Sequence, residues 1–162
     1  AVLLRGNAMN AADLARSPEM AHAIASAAAL FRRHFPDARA NLTPWRDDPD
    51  TRRFEEPASV DLAFHFPGWS PRLQCRSLLM QLRLAEAPVA GGGGTPRLRG
   101  VLLSGMTFQG EQWRLATVGD WEASGVNLPQ PEVAEKLRLV CRDLFALLGE
   151  GPAVADASDE AA

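Results

Sequence analysis

Residues 60–84 read VDLAFHFPGWSPRLQCRSLLMQLRL, and the alternation of apolar and polar residues within them decides the fold. Val60, Leu62, Phe64 and Phe66 alternate with Asp61, Ala63 and His65, the period of two that marks a strand with one buried face. Pro67-Gly68 is expected to stop that strand, because proline cannot donate to a ladder and glycine permits a turn, and Ser70-Pro71 delays the return. Leu73, Cys75 and Ser77 then alternate with Arg72, Gln74 and Arg76, after which the apolar phase switches to Leu78, Met80, Leu82 and Leu84. A bulge near Ser77–Leu79 would reconcile the two phases. The segment is therefore a β-hairpin, with Arg72, Gln74, Arg76, Gln81 and Arg83 forming a row of donors on the solvent side, across from Asp61 and His65.

Outward from the hairpin, the pattern becomes helical at both ends. Ser17-Pro18-Glu19 carries an N-cap serine, a first-turn proline and an acid at the positive end of the dipole. Met20, Ile24, Ala27, Ala28 and Phe31 continue as an apolar stripe, and Phe35-Pro36 closes the helix. His22 lies off that stripe and His34 falls in the last turn, so both read as helix positions rather than metal or catalytic groups. Near the C-terminus, Pro129–Pro131 opens a second helix with Val133, Leu137, Val140, Cys141, Leu144 and Leu148 on one face, stopped by Gly149. Between the helices, residues 38–45 suit a short edge strand, residues 97–108 and 112–118 pair through a tight turn at Gln109-Gly110, and Trp121–Ala123 adds a brief strand broken by Ser124-Gly125.

This order predicts an α+β fold: a mostly antiparallel sheet of four to six strands between an N-terminal and a C-terminal helix, with the helices on one face and the other partly wet. A small β-barrel with flanking helices is the alternative, should the first and last strands meet. Residues 1–16 read as a partly ordered lead-in, 17–149 as one α+β domain, and the acidic, alanine-rich 150–162 as a disordered tail.

A chain of 162 residues suits one core. Its composition, 46% hydrophobic and 23% charged, is that of a soluble globular protein. The apolar run 23–31 is far short of the roughly 20 residues a spanning helix needs, so no transmembrane segment is expected. Val2–Leu4 lacks a preceding basic region, which argues against a secretory signal, and Met9 offers an alternative start. Cys75 and Cys141 lack metal-site spacing and are expected as reduced core thiols in a cytoplasmic protein; a disulfide would require the strand and helix to bring them together. The net charge of −3 and the lack of a basic tract make nucleic acid an improbable partner. Sixteen of the seventeen basic residues are arginine, which contributes bidentate and stacking contacts where lysine cannot. The oligomeric state is not written in this pattern.

Among groups that could carry chemistry, Asp47, Asp48 and Asp50 are of the type that attracts a hard cation, but Arg46, Arg52 and Arg53 can neutralise them within the same 46–53 loop. The glycines 91–94 within the 88–96 connection lack the lysine and following helix of a phosphate cradle. No cofactor fingerprint or metal spacing is present. Adjacent strands are expected to gather Arg72, Arg76, Arg83, Arg97, Arg99 and Arg114 near Trp69, the best placed for exposure of Trp45, Trp69, Trp113 and Trp121. Arginine clusters hold carboxylates and phosphates through paired donors. The functional expectation is thus a small non-enzymatic binding or assembly-accessory protein for an acidic protein surface or anionic ligand. The alternative is a small hydrolase using His65, Asp61 and Ser70. A pocket between helices and sheet would fit the fold, without a polar constellation to define it.

Overall fold

The computed structural model describes residues 8–44, 59–85 and 96–149. In chain order these form β1 (Ala8–Asn10), α1 (Ala11–Leu14), α2 (Pro18–His34), β2 (Arg39–Asn41), β3 (Ser59–Ser70), β4 (Cys75–Leu84), β5 (Leu98–Thr107), β6 (Gly110–Ala116), β7 (Ala123–Gly125) and α3 (Pro131–Leu148). The sheet runs β1-β3-β4-β5-β6-β7, with β2 also paired to β3. Every pair is antiparallel except β1 with β3. The sheet is open: β1 and β7 lie at opposite ends of the strand order, so the fold is α+β and not a closed barrel.

The helices form where their caps and stripes place them. Ser17 Oγ accepts from the Met20 amide at 3.1 Å, and Pro18 opens α2. Ile24, Ala27 and Phe31 of α2, and Val133, Leu137, Val140, Cys141, Leu144 and Leu148 of α3, are all buried. They join one core with Val60, Leu62 and Phe64 of β3, Leu78, Met80 and Leu82 of β4, Val101 and Leu103 of β5, and Trp113 and Leu115 of β6. Phe31 stacks between Phe35 and Phe64, with centroids at 4.8 Å and 4.1 Å. Both helices therefore cover the same face.

Several local expectations change. β3 does not stop at Pro67-Gly68 but continues to Ser70, and the turn occupies 71–74. Pro67 is tolerated because it falls where the ladder shifts register, between His65↔Ser77 and Ser70↔Cys75, so its missing N–H removes no ladder bond there. The same irregularity absorbs the phase switch of β4: Leu73 and Cys75 are buried on one side of Arg76-Ser77, and Leu78, Met80 and Leu82 on the other. In β5, a second shift between Arg83 and Leu84 brings Leu98 and Val101 to the core and leaves Arg99 exposed between them. The hairpin tip is Phe108-Gln109, with Gly110 at φ 112° closing it. The last strand is Ala123–Gly125, so Ser124-Gly125 continues pairing rather than breaking it.

The face away from the helices is not wet at its centre. Asp61, Ala63, Leu79, Gln81, Leu102 and Ser104 are all buried, whereas strand periodicity marks Asp61 and Gln81 for solvent. A period of two separates the faces of a strand but does not say whether the second is covered. β1 and α1 also form within the expected lead-in. The 46–53 loop, Trp45, the glycines 91–94 and the 150–162 tail lie outside the described residues.

Candidate functional site

The hydrolase trio does not converge. Asp61 is completely buried and accepts from Ser59 Oγ at 2.6 Å. His65 follows four residues later, roughly 13 Å along an extended strand. Ser70 Oγ accepts from the Leu73 amide at 3.2 Å and so stabilises the turn. His65 instead lies between Ser77, its partner across β3 and β4, and Asn41 of β2. Asn41 Oδ1 accepts from the amide and hydroxyl of Thr43 at 3.0 and 3.2 Å, which turns Asn41 Nδ2 toward His65 Nε2 at 3.3 Å. Nε2 must then accept, and Nδ1–H donates to Ser77 Oγ at 2.8 Å. A serine nucleophile needs the reverse polarity, with its own hydroxyl donating to the imidazole. His65 here ties three strands together.

The arginines divide between the two ends of the sheet. Arg83, Arg97 and Arg99 lie at one end and Arg72 and Arg76 at the other; Arg76 and Arg83 are seven residues apart on β4, roughly 23 Å of strand. Arg114, on β6, is engaged by Glu111 Oε2 at 3.1 Å. Among the described residues, Arg72 and Arg76 form no ion pair with a carboxylate. Arg76 instead places its guanidinium 4.8 Å from the centroid of Phe108, a cation–π contact.

The end carrying Arg72 and Arg76, here termed the turn end, also gathers exposed apolar side chains. Trp69 is 44% exposed, Phe108 91%, Val126 79% and Leu128 50%. Trp69 is on β3 rather than in a loop, beside Ser70, which pairs with Cys75 next to Arg76. A chain of hydrogen bonds fixes this end. The amide of Gln109 and Nε2 of Gln112 both donate to Thr107 Oγ1 at 3.1 Å. Asn127 Nδ2 donates to Gln112 Oε1 at 2.6 Å, and the Asn127 amide to the Gln112 carbonyl at 3.1 Å. The Gln130 amide then donates to the Arg72 carbonyl at 2.9 Å, joining the start of α3 to the 71–74 turn. Trp113 Nε1 donates to the Leu73 carbonyl at 2.6 Å, its indole lying over Gly105, where any Cβ would collide.

Of the side chains at this end, sequence reasoning singles out Trp69, Arg72 and Arg76 and passes over Phe108, Val126 and Leu128. One signal was present for Phe108. Phe108 stands at the tip of the hairpin, where turn residues are usually small and polar, and its ring is 91% exposed.

Both thiols are buried, and burial pushes Cys75 and Cys141 up to about 12. Among the described residues, no three histidine, cysteine, aspartate or glutamate side chains group as a metal site, and no helix is long and apolar enough to cross a membrane. No curated protein and no solved structure matches the chain. A family model matches residues 12–150, from within α1 to just past α3, and its description is a domain of unknown function. By that match over most of its length, the chain belongs to this family of domains of unknown function.

Proposed function

We propose that the chain is a small non-enzymatic binding or assembly-accessory protein that holds an acidic, partly apolar segment of a protein partner at the turn end. The observation that carries this reading is the placement of four exposed apolar side chains beside two arginines with no carboxylate partner among the described residues. Aromatic and arginine side chains dominate the energetics of protein interfaces. Exposed arginines favour a partner of opposite charge, and the hydrogen-bonded frame beneath them lowers the ordering cost of binding. Arg83, Arg97 and Arg99 lie toward the opposite end of the sheet, and Arg114 is held by Glu111. The setting we propose is cytoplasmic, where Cys75 and Cys141 remain thiols.

The test is affinity capture from lysate at low and moderate salt, using the wild-type chain and the Arg72→Ala/Arg76→Ala variant. Recovery of one acidic partner by the wild type, weakened by salt and lost in the variant while thermal unfolding is unchanged, supports the reading. Equal recovery by both proteins counts against it.

A further inference from the structure

Beside the turn end lies a cleft of ≈ 220 Å³ between the chain leaving α2, the first turns of α3 and the β3–β4 turn. Ser70 and Arg72 line it and also border the exposed surface, so the two are continuous. Phe66, Leu73 and Val133 provide apolar lining, and Arg72 and Lys136 provide positive charge against the single carboxylate of Asp37. His34, also on the lining, directs its Nε2 to Asp143 at 3.4 Å.

Lys136 is the only lysine in the chain. Its Nζ donates to the His34 carbonyl at 3.3 Å and stands 5.2 Å from the Phe35 centroid. An ammonium carries three donors, and among the described residues no carboxylate pairs with this one. Lys136 is therefore held in place with donor capacity in reserve. The volume is below the roughly 300–1,000 Å³ of sites for drug-sized ligands, which matches one residue rather than a nucleotide. Cationic donors call for a carboxylate, the apolar lining calls for a hydrocarbon side chain on the same group, and Asp37 disfavours a second negative charge.

We propose that the cleft receives the C-terminal residue of a bound peptide segment, its terminal carboxylate held by Arg72 and Lys136 and its apolar side chain against Phe66, Leu73 and Val133. The preceding acidic residues cross the turn end. This deepens the proposed function and rests on the turn end being a docking surface.

The test uses calorimetric titration of the full chain with three probes: an acidic hexapeptide ending in leucine with a free carboxylate, the same peptide as its C-terminal amide, and N-acetyl-leucine. The expected result is that the acid binds at least about tenfold more tightly than the amide. That preference vanishes in Lys136→Met, which keeps the aliphatic stem, and persists in Lys136→Arg. Phe108→Ser weakens acid and amide peptides alike and leaves N-acetyl-leucine unchanged. Equal binding of acid and amide overturns the cleft assignment, and if Phe108→Ser still weakens both, the docking surface survives. An acid preference untouched by Phe108→Ser, with N-acetyl-leucine as tight as the peptide, overturns the peptide as occupant and the docking surface with it. Absence of binding by either peptide at about 1 mM overturns the inference, while the capture experiment judges the docking surface separately.

Discussion

Trp113 and Phe108 belong to the same hairpin, five residues apart, and the molecule treats them in opposite ways. Trp113 is fully buried, with its indole N–H bonded to the Leu73 carbonyl and its ring over Gly105. Phe108 has almost its entire side chain in solvent, touched by the guanidinium of Arg76. Packing accounts for the first ring completely: β6 needs a large apolar group on its helix-covered face, and the one polar atom of that group finds a carbonyl. For the second ring the described residues offer only the cation–π contact with Arg76. Turn tips more often carry small polar residues, so the exposed ring is the part of the hairpin that the proposed docking surface would use.

That contrast can be broken by substitution. Trp113→Ala should destabilise the fold by about 3–5 kcal/mol, the cost of a large buried aromatic, read as a lowered denaturation midpoint. The core beneath it has its own pH signature. Each buried thiol has a folded-state value raised from 9.0 to about 12, so its contribution is fully present below pH 9 and lost as pH rises toward 12. Stability at pH 10 should be lower by about 1 kcal/mol per thiol, and Cys75→Ala/Cys141→Ala should flatten that alkaline fall. Asn127→Ala removes the bond to Gln112 Oε1 and should cost about 1 kcal/mol while loosening the segment that presents Val126 and Leu128, seen as faster amide exchange there. Phe108→Ser should cost no more than about 1 kcal/mol, the worth of an exposed cation–π contact, yet weaken partner binding. A Phe108→Ser protein as unstable as Trp113→Ala would erase the distinction between the two rings.

What the sequence made legible follows the same division. The hairpin of β3 and β4, the phase switch within it and the buried stripes of α2 and α3 were readable because periodicity records burial, and burial drives the fold. β1 and α1 were not, since three and four residues are too few to show a period. The buried Asp61 and Gln81 misled, because a polar residue on a strand reads as exposed until the covering of that face is known. The arginine row divided because the residues chosen lay at opposite ends of long strands, and alternation assigns a face but not a distance. Val126 and Leu128 were silent for another reason: their place at the turn end is set by Asn127 reaching Gln112, a contact between segments that no local pattern records.

The three shortest strands have a consequence for colloidal behaviour. β1 and β2 lie on the same side of β3, one against Ser59–Asp61 and the other against Ala63–His65, and the opposite margin is the three-residue β7. Among the described residues each outermost strand is three residues long, which offers little ladder for a second chain to pair with. A protein with Phe108 and Trp69 in water is exposed to self-association through its apolar end. Short margins narrow the other common route, strand-to-strand polymerisation, so that self-association of the described residues would fall mainly to the exposed side chains of the turn end.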